Sequence, residues 1–291
     1  MNNKAISWIL FIVLCFIWGS SFILMKEGKA GLSAAQIASL RIFSAGAVFL
    51  PFAVYHIRFI PRKKMSLMIL TGLFGNLLPA FLFAAAIIKL DSSLEGILNS
   101  LTPICMVMIG IVFFRDKVEW QKIAGVAIGF AGLCLLAVSR KDINLDNLGH
   151  AGLVVVATLC YGLNVNIVSH YLRDIRPVHM ATVSLAFMAI PAGIVLWSQG
   201  FLQLDFGDRT VQWSVLNVVT LGMVGSAFAT VLFYALVQKS GPLMASLVTY
   251  GIPFVALFWG ALVGESITLK DIGCLLLILL GVFLAKLQRP G

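Results

Sequence analysis

Part of this chain is written twice. Gly72, Gly75, Leu82, Phe83, Ala85, Lys89, Pro103 and Gly110 recur in the same order and spacing as Gly222, Gly225, Leu232, Phe233, Ala235, Lys239, Pro253 and Gly260. The offset is about half of the 291-residue length, so whatever one half folds into, the other must fold into a related unit. The units are apolar: 60% of residues are hydrophobic and only 11% charged, with a mean hydropathy of +1.00. Soluble chains carry about a quarter charged residues, and a soluble fold of this length could not hide so much apolar surface. Lipid is the expected solvent. Duplicated membrane units usually meet around a central site that opens to one side of the bilayer at a time.

The net charge of +9 resides in short basic tracts between apolar runs rather than on one amphipathic face. That distribution reads as membrane topology, and no nucleic-acid partner is expected. Cys15, Cys105, Cys134, Cys160 and Cys274 all fall inside apolar runs without CxxC spacing, so they read as small buried hydrophobes rather than a disulfide framework or metal site. The first apolar run follows Lys4 as a signal peptide would. It continues to about Met25 with no A-x-A site, and is read as a retained first helix.

A spanning helix needs roughly 20 mostly apolar residues. The expected fold is an all-α membrane protein with ten transmembrane helices, at 5–25, 34–55, 65–88, 93–114, 119–138, 151–170, 179–199, 213–236, 243–263 and 270–287. They divide into one five-helix repeat over 5–138 and a second over 151–287, joined by a linker at 139–150. Five is odd, so the second repeat enters from the opposite side, and the repeats are inverted by parity alone. Lys and Arg favour both termini in the cytoplasm: Arg58, Arg62, Lys63, Lys64, Arg115, Lys117, Lys122, Arg173, Arg176 and Lys239 then lie inside, against fewer outside, among them Lys26, Lys29, Arg140, Lys141 and Arg209.

Pro103 and Pro253 are placed near the middle of spans four and nine, where a proline frees the carbonyl four residues earlier, here Asn99 and Thr249. Opened backbone beside polar side chains is how transporters of inverted repeats build a site; two ordinary packing kinks are the alternative. Pro79 is a third helix break, between Asn76 and Phe83 of span three. Glu95, Asn99, Thr102 and Met106 share one helical face, as do Ser226, Thr230 and Tyr234, and also Tyr161 and Asn164, while Asn166 and His170 form a second face. Polar stripes in a bilayer face a cavity or hydrogen-bond a neighbouring helix. The substrate-facing candidates are Trp18, Ser21, Arg41, Asn76, Asn99, Thr102, Tyr161, Asn164, Ser226, Thr230, Thr249 and Tyr250.

Arg41 and Glu95 are the ionisable residues clearly inside the spans, with Glu95 expected to be the shallower. Arg41, whose rough counterpart in the second copy is Ser184, keeps its charge. It would hold a carboxylate, pair with Glu95, or reach the headgroups. Glu95 is the one acidic candidate for coupling to a proton, or else an outer-rim residue. Gly125, Gly129 and Gly132 in span five, with Gly273, Gly281 and Ala285 in span ten, point to close helix packing as scaffold.

The run Trp18-Gly19-Ser20-Ser21-Phe22, the prolines Pro103 and Pro253, and the ending Gly264-Glu265…Gly273…Gly281 resemble the drug/metabolite transporter superfamily, in particular its two-repeat EamA-like family, over essentially the whole chain. The first copy departs at Asp116, where the family has Glu, and at Ala124, both at positions that look structural. The resemblance implies a secondary transporter, commonly an exporter of amino acids or related metabolites, with a cavity between the repeats. The expected partners are a small-molecule substrate and the bilayer of the inner membrane, with the protein a monomer or homodimer. No GxxxxGK[ST] run cradles a nucleotide, and neither a cofactor nor an enzyme activity is expected. The runner-up readings are a drug or cation exporter and an ion-independent facilitator.

Overall fold

In hydrocarbon no water completes a backbone hydrogen bond, so each long apolar run must bond within itself, which a helix does. The computed structural model describes residues 3–90, 92–139, 148–262 and 268–286, and every regular element among them is helical. Helices α1 (Asn3–Gly28) and α2 (Ala34–Ile57) are followed by a composite rod. It comprises α3 (Met65–Gly72), a π-helical turn at Leu73–Leu77, and α4 (Leu78–Ala86). Then come α5 (Ser92–Asn99), α6 (Thr102–Phe114), α7 (Trp120–Ser139), α8 (Leu148–Tyr171) and α9 (Pro177–Ser198). A second composite rod joins α10 (Arg209–Thr220), a π-helical segment at Leu221–Phe228, and α11 (Ala229–Ser246). A 3₁₀ segment at Leu247–Gly251 leads into α12 (Ile252–Leu262), and α13 (Leu269–Lys286) ends the described chain.

Among the described residues, six stretches are long and apolar enough to cross a membrane: Lys4–Gly28, Ala34–Ile57, Arg62–Ala86, Leu148–Tyr171, Pro177–Ser198 and Arg209–Val255. Thr102–Phe114 and Trp120–Leu136 are shorter apolar helices. Large side chains such as Val112, Phe113, Trp197, Leu276 and Phe283 stand exposed along these helices, as lipid solvation requires. The chain is a multi-pass membrane protein. Arg140 and Lys141 of the linker, the Gly264-Glu265 pair and Arg289 lie outside the described residues.

The prolines act differently from the expected mid-helix kinks. The span expected at 93–114 is two helices, α5 and α6, interrupted at Ser100–Leu101, and Pro103 sits in the first turn of α6. Pro253 is the second residue of α12, and Pro79 lies in the first turn of α4. At a first turn the missing N–H leaves no bond unmade. The breaks precede the prolines. Both carbonyls expected to be free are also taken: Thr102 Oγ1 donates to the Asn99 carbonyl at 2.6 Å, and Ser100 Oγ donates to the Thr249 carbonyl at 3.1 Å. The latter bond ties the break in one half to the break in the other. Gly241, at φ 82° and ψ 167°, bends α11 sharply just before Pro242.

Small residues let backbones of neighbouring helices come close. Along α7 and α13, a Cβ added at Gly125 would lie 2.7 Å from the Gly281 carbonyl oxygen, and one at Gly281 would lie 2.6 Å from the Gly125 carbonyl oxygen. Gly273, expected in the same seam, faces open space instead. Along α2 and α9, Gly46 rests on the Leu185 carbonyl. The same kind of approach recurs at the start of both π-helical segments: Gly72 lies against the Ser184 carbonyl of α9, and Gly222 against the Arg41 carbonyl of α2. Tyr250 belongs to this packing and not to the central site expected for it. Its ring covers Gly129, its hydroxyl donates to the Val126 carbonyl at 2.7 Å, and it is fully buried.

Replacing Gly281 by leucine is expected to cost at least 1–3 kcal/mol, because backbone on the facing helix cannot move aside as a flexible side chain can. Gly273→Leu should be tolerated, and equal melting of the two variants in detergent would contradict this packing. Tyr250→Phe should cost about 1 kcal/mol, the worth of one buried hydrogen bond; an unchanged unfolding midpoint would show that the Val126 bond is not made.

Candidate functional site

The two π-helical turns face one another across a narrow central cavity of about 80 Å³. A π-helical turn inserts a residue and puts carbonyls and side chains out of helical register, which is why such turns recur at functional sites. Here one out-of-register carbonyl, Gly225, accepts from Trp18 Nε1 at 3.1 Å. Across the gap, Thr230 Oγ1 donates to Asn76 Oδ1 at 3.2 Å, joining the first π-helical turn to the residues just after the second. The turns form where Gly72 and Gly75 in one copy, and Gly222 and Gly225 in the other, leave room for α9, Asn164, α2 and Ser21 respectively.

Arg41 of α2 is the one charged residue among the described residues that line the cavity. Its Nε donates to Ser226 Oγ at 2.8 Å, which anchors one edge of the guanidinium. Aromatic rings form the walls. Trp18 meets Phe233 at a centroid distance of 5.1 Å, and Phe83 stacks on Tyr161 at 5.9 Å and meets Phe22 edge-on at 6.3 Å. Polar atoms are left over between them. Asn76 Nδ2, Asn164 Oδ1 and the Tyr234 hydroxyl are buried without a hydrogen-bond partner. Tyr234 sits among Ser184, Asn164, Thr71 and Asn76, yet its hydroxyl makes no bond of good geometry with them. Buried polar groups in native proteins are nearly always satisfied, so orphans converging on one cavity call for an explanation there.

Of the twelve sequence candidates, Trp18, Ser21, Arg41, Asn76, Asn99, Thr102, Tyr161, Asn164, Thr230 and Thr249 line this cavity. Ser226 does not; it stands behind Arg41 and holds it. Tyr250 is in the helix packing described above. Glu95, expected to be the shallower of the two charges, lies inside the protein. It is fully buried, outside the cavity lining, with both carboxylate oxygens lacking a hydrogen-bond partner, and it interacts with Arg41 through space rather than by an ion pair. Asn166 and His170 do occupy a different face: Asn166 Nδ2 donates to the Met106 carbonyl, and His170 Nε2 meets Asp116 Oδ1 at 2.8 Å. Phe22, Phe233 and Tyr234 line the cavity without having been singled out for it. Phe22 closes the Trp18 motif, Phe233 is the repeat partner of Phe83, and Tyr234 ends a polar stripe, so each carried a signal.

A wider space of about 990 Å³ opens beside the cavity, lined by Lys4, Lys117, Lys122, Arg173 and Lys239 as well as Asp116 and His170. One segment of chain separates the two. Met244 and Leu247 face this vestibule, while Ala245, Ser246 and Thr249 face the cavity. Among the described residues no group of three or more His, Cys, Asp or Glu could hold a metal ion. The cavity offers one cation, unpaired amide and hydroxyl groups and stacked rings. Such a set holds a small polar molecule non-covalently.

The chain resembles proteins whose names are consistent with that arrangement. It is 23% identical over 283 residues to an uncharacterized transporter of Archaeoglobus fulgidus, covering 97% of this chain and 99% of that one. It is 24% identical to a probable amino-acid metabolite efflux pump of Escherichia coli, covering 88% and 78%, and 25% identical to an S-adenosylmethionine/S-adenosylhomocysteine transporter of Chlamydia muridarum, covering 86% and 82%. One solved crystal structure superposes with a TM-score of 0.71 over 96% of both chains at 15% identity, which shows a shared fold. Residues 5–138 and again residues 150–287 match one transporter family, so nearly all of the chain is accounted for by two copies of its domain. With both copies matched, the chain belongs to the EamA-like transporter family.

Proposed function

We propose that the protein is a secondary active transporter that moves a small organic metabolite, amino acids or related compounds first, out across the inner membrane by alternating access. The observation that carries the reading is the cavity between the paired π-helical turns, with its leftover donors and acceptors. In this reading residues 5–138 and 151–287 are inverted five-helix repeats of a ten-span protein with both termini cytoplasmic. The Met244–Thr249 segment closes the cavity toward the vestibule, and rocking of one repeat on the other would open it. Arg41 would take the carboxylate of the cargo, Trp18, Phe83 and Tyr161 would clasp its apolar part, and Asn76, Asn99 and Asn164 would read its polar groups. The names of the efflux pump and the S-adenosylmethionine transporter among the relatives support cargo of this kind. A drug or cation exporter fits less well, since the one charge lining the cavity is positive.

Purified protein in proteoliposomes, offered radiolabelled amino acids, other carboxylates and organic cations, is expected to exchange carboxylate-bearing compounds above protein-free vesicles. If nothing in the panel moves, the transport reading fails for these classes; if cations alone move, the drug-exporter reading replaces it. Asn99→Ala should lower the rate by about 2–10-fold, the worth of one hydrogen bond, with the protein still folded. Normal transport by that variant would remove Asn99 from the site.

Glu95 is the proposed coupling group. Acidic residues inside membrane proteins mark proton relays, and this one is buried with no hydrogen-bond partner while sensing Arg41. Glu95→Gln keeps the size and cannot titrate, so pH-gradient-driven accumulation should be lost while downhill exchange survives. Accumulation at the normal level in the variant would show that Glu95 is not the coupling site, and exchange indifferent to any gradient in the unmodified protein would establish a facilitator.

A further inference from the structure

An apolar groove of about 450 Å³ runs along the outside of α1, α12 and α13, between Phe11, Ile12 and Phe16 on one side and Phe254, Phe258 and Leu279 on the other. Its rims are large side chains left about half exposed: Ile12 at 53%, Phe16 at 47%, Phe258 at 48% and Leu279 at 51%. On a protein solvated by lipid, a recess of this size is filled by hydrocarbon. An empty one would forfeit dispersion contacts along its whole length, and water gains nothing from apolar walls.

The groove does not end in lipid at both ends. Trp8 and Phe283 line the groove and the vestibule alike, so the two spaces share an edge. At that edge stands Lys4, one helical turn from Trp8 and on the same face of α1. Lys239 lies on the α11 side of the vestibule, and the Ser7 and Ser240 hydroxyls, hydrogen-bonded at 2.6 Å, join α1 to α11 between the two lysines. Among the described residues neither lysine has a carboxylate within ion-pair distance, whereas Lys122 is paired with Glu119. Asp116, the acid in the vestibule lining, is engaged by His170.

We propose that groove and vestibule edge together seat one anionic phospholipid, its acyl chain between α1 and α12 and its phosphate at Lys4 and Lys239. An apolar groove sharing an edge with lysines that have no carboxylate partner among the described residues fits an amphiphile with a negative head. A zwitterionic lipid would bring its own amine against the lysines, and a free anion would leave the slot unused. The tryptophan at the junction is the residue type that favours the headgroup boundary. The site lies outside the central cavity and is independent of what the cavity carries.

The test uses detergent-purified, delipidated full-length protein given phosphatidylglycerol, phosphatidylcholine or glycerol phosphate, read by native mass spectrometry. Phosphatidylglycerol should bind roughly 30-fold tighter than phosphatidylcholine, the worth of two lysines near an anionic headgroup. Lys4→Gln with Lys239→Gln should erase most of that preference. Equal binding of the two lipids would overturn the proposal, as would a preference that survives the double substitution. Glycerol phosphate displacing the lipid at equal concentration would make this a soluble-anion site and overturn the lipid assignment. A second readout needs no charge variant: phosphatidylglycerol with brominated chains should quench a tryptophan component that Trp8→Phe removes, and quenching unaffected by Trp8→Phe would place the lipid elsewhere.

Discussion

Irregular backbone is tolerated at membrane depth only where protein supplies the missing hydrogen-bond partners, and the central site of this protein is arranged around that constraint. Its interruptions are the π-helical turns at Leu73–Leu77 and Leu221–Phe228, the gap at Ser100–Leu101 and the 3₁₀ segment at Leu247–Gly251. All of them converge on one place. Trp18 binds the Gly225 carbonyl, Thr102 the Asn99 carbonyl and Ser100 the Thr249 carbonyl. Three of the four are thus tied by a side chain to a backbone carbonyl, and the Leu73–Leu77 turn is tied through the Asn76 side chain, which accepts from Thr230. The cavity lies where these irregular segments meet, and its polar lining combines their residues, such as Asn76 and Thr249, with Arg41, Asn164 and Tyr234 of the regular helices.

The two halves share one close helix approach and differ in charge at it. Gly72 rests on α9 at Ser184 and Gly222 rests on α2 at Arg41, the same close approach made twice. Only one of the two positions carries a long cation, which extends to Ser226 and projects into the cavity. A repeated scaffold therefore yields an asymmetric site. In the proposed function, similar packing on both sides would suit rocking between two arrangements of comparable energy, and the asymmetry would supply recognition. The backbones of α7 and α13 also meet closely, through Gly125 and Gly281, away from the cavity lining.

Membrane location, helical class and the paired cores were legible in the sequence because they follow from additive properties: run length, hydropathy and the spacing of repeated residues. Ten of the twelve cavity candidates also came from such patterns, since a polar residue among apolar ones at helical spacing has few places to go. Tyr250 misled because an aromatic hydroxyl beside Thr249 looks equally suited to a cavity or to a helix seam, and the choice depended on Gly129 facing it from a helix more than a hundred residues away. The burial of Glu95 was not legible because its place was counted along one unbroken span, whereas α5 is a separate short helix and the side chain is fully buried in the protein.

By itself, then, the sequence determined that the chain is a duplicated helical membrane protein and which polar residues must avoid lipid, because hydrophobic transfer and helical periodicity act locally. Only the tertiary structure decided that the helix breaks precede the prolines, that Ser100 of the other half occupies the Thr249 carbonyl, that Arg41 is held by Ser226, and that Asn76, Asn164 and Tyr234 keep unpaired groups. Hydrogen-bond satisfaction is a property of which segments meet. No window along the chain contains both partners of a bond that spans Ser100 and Thr249.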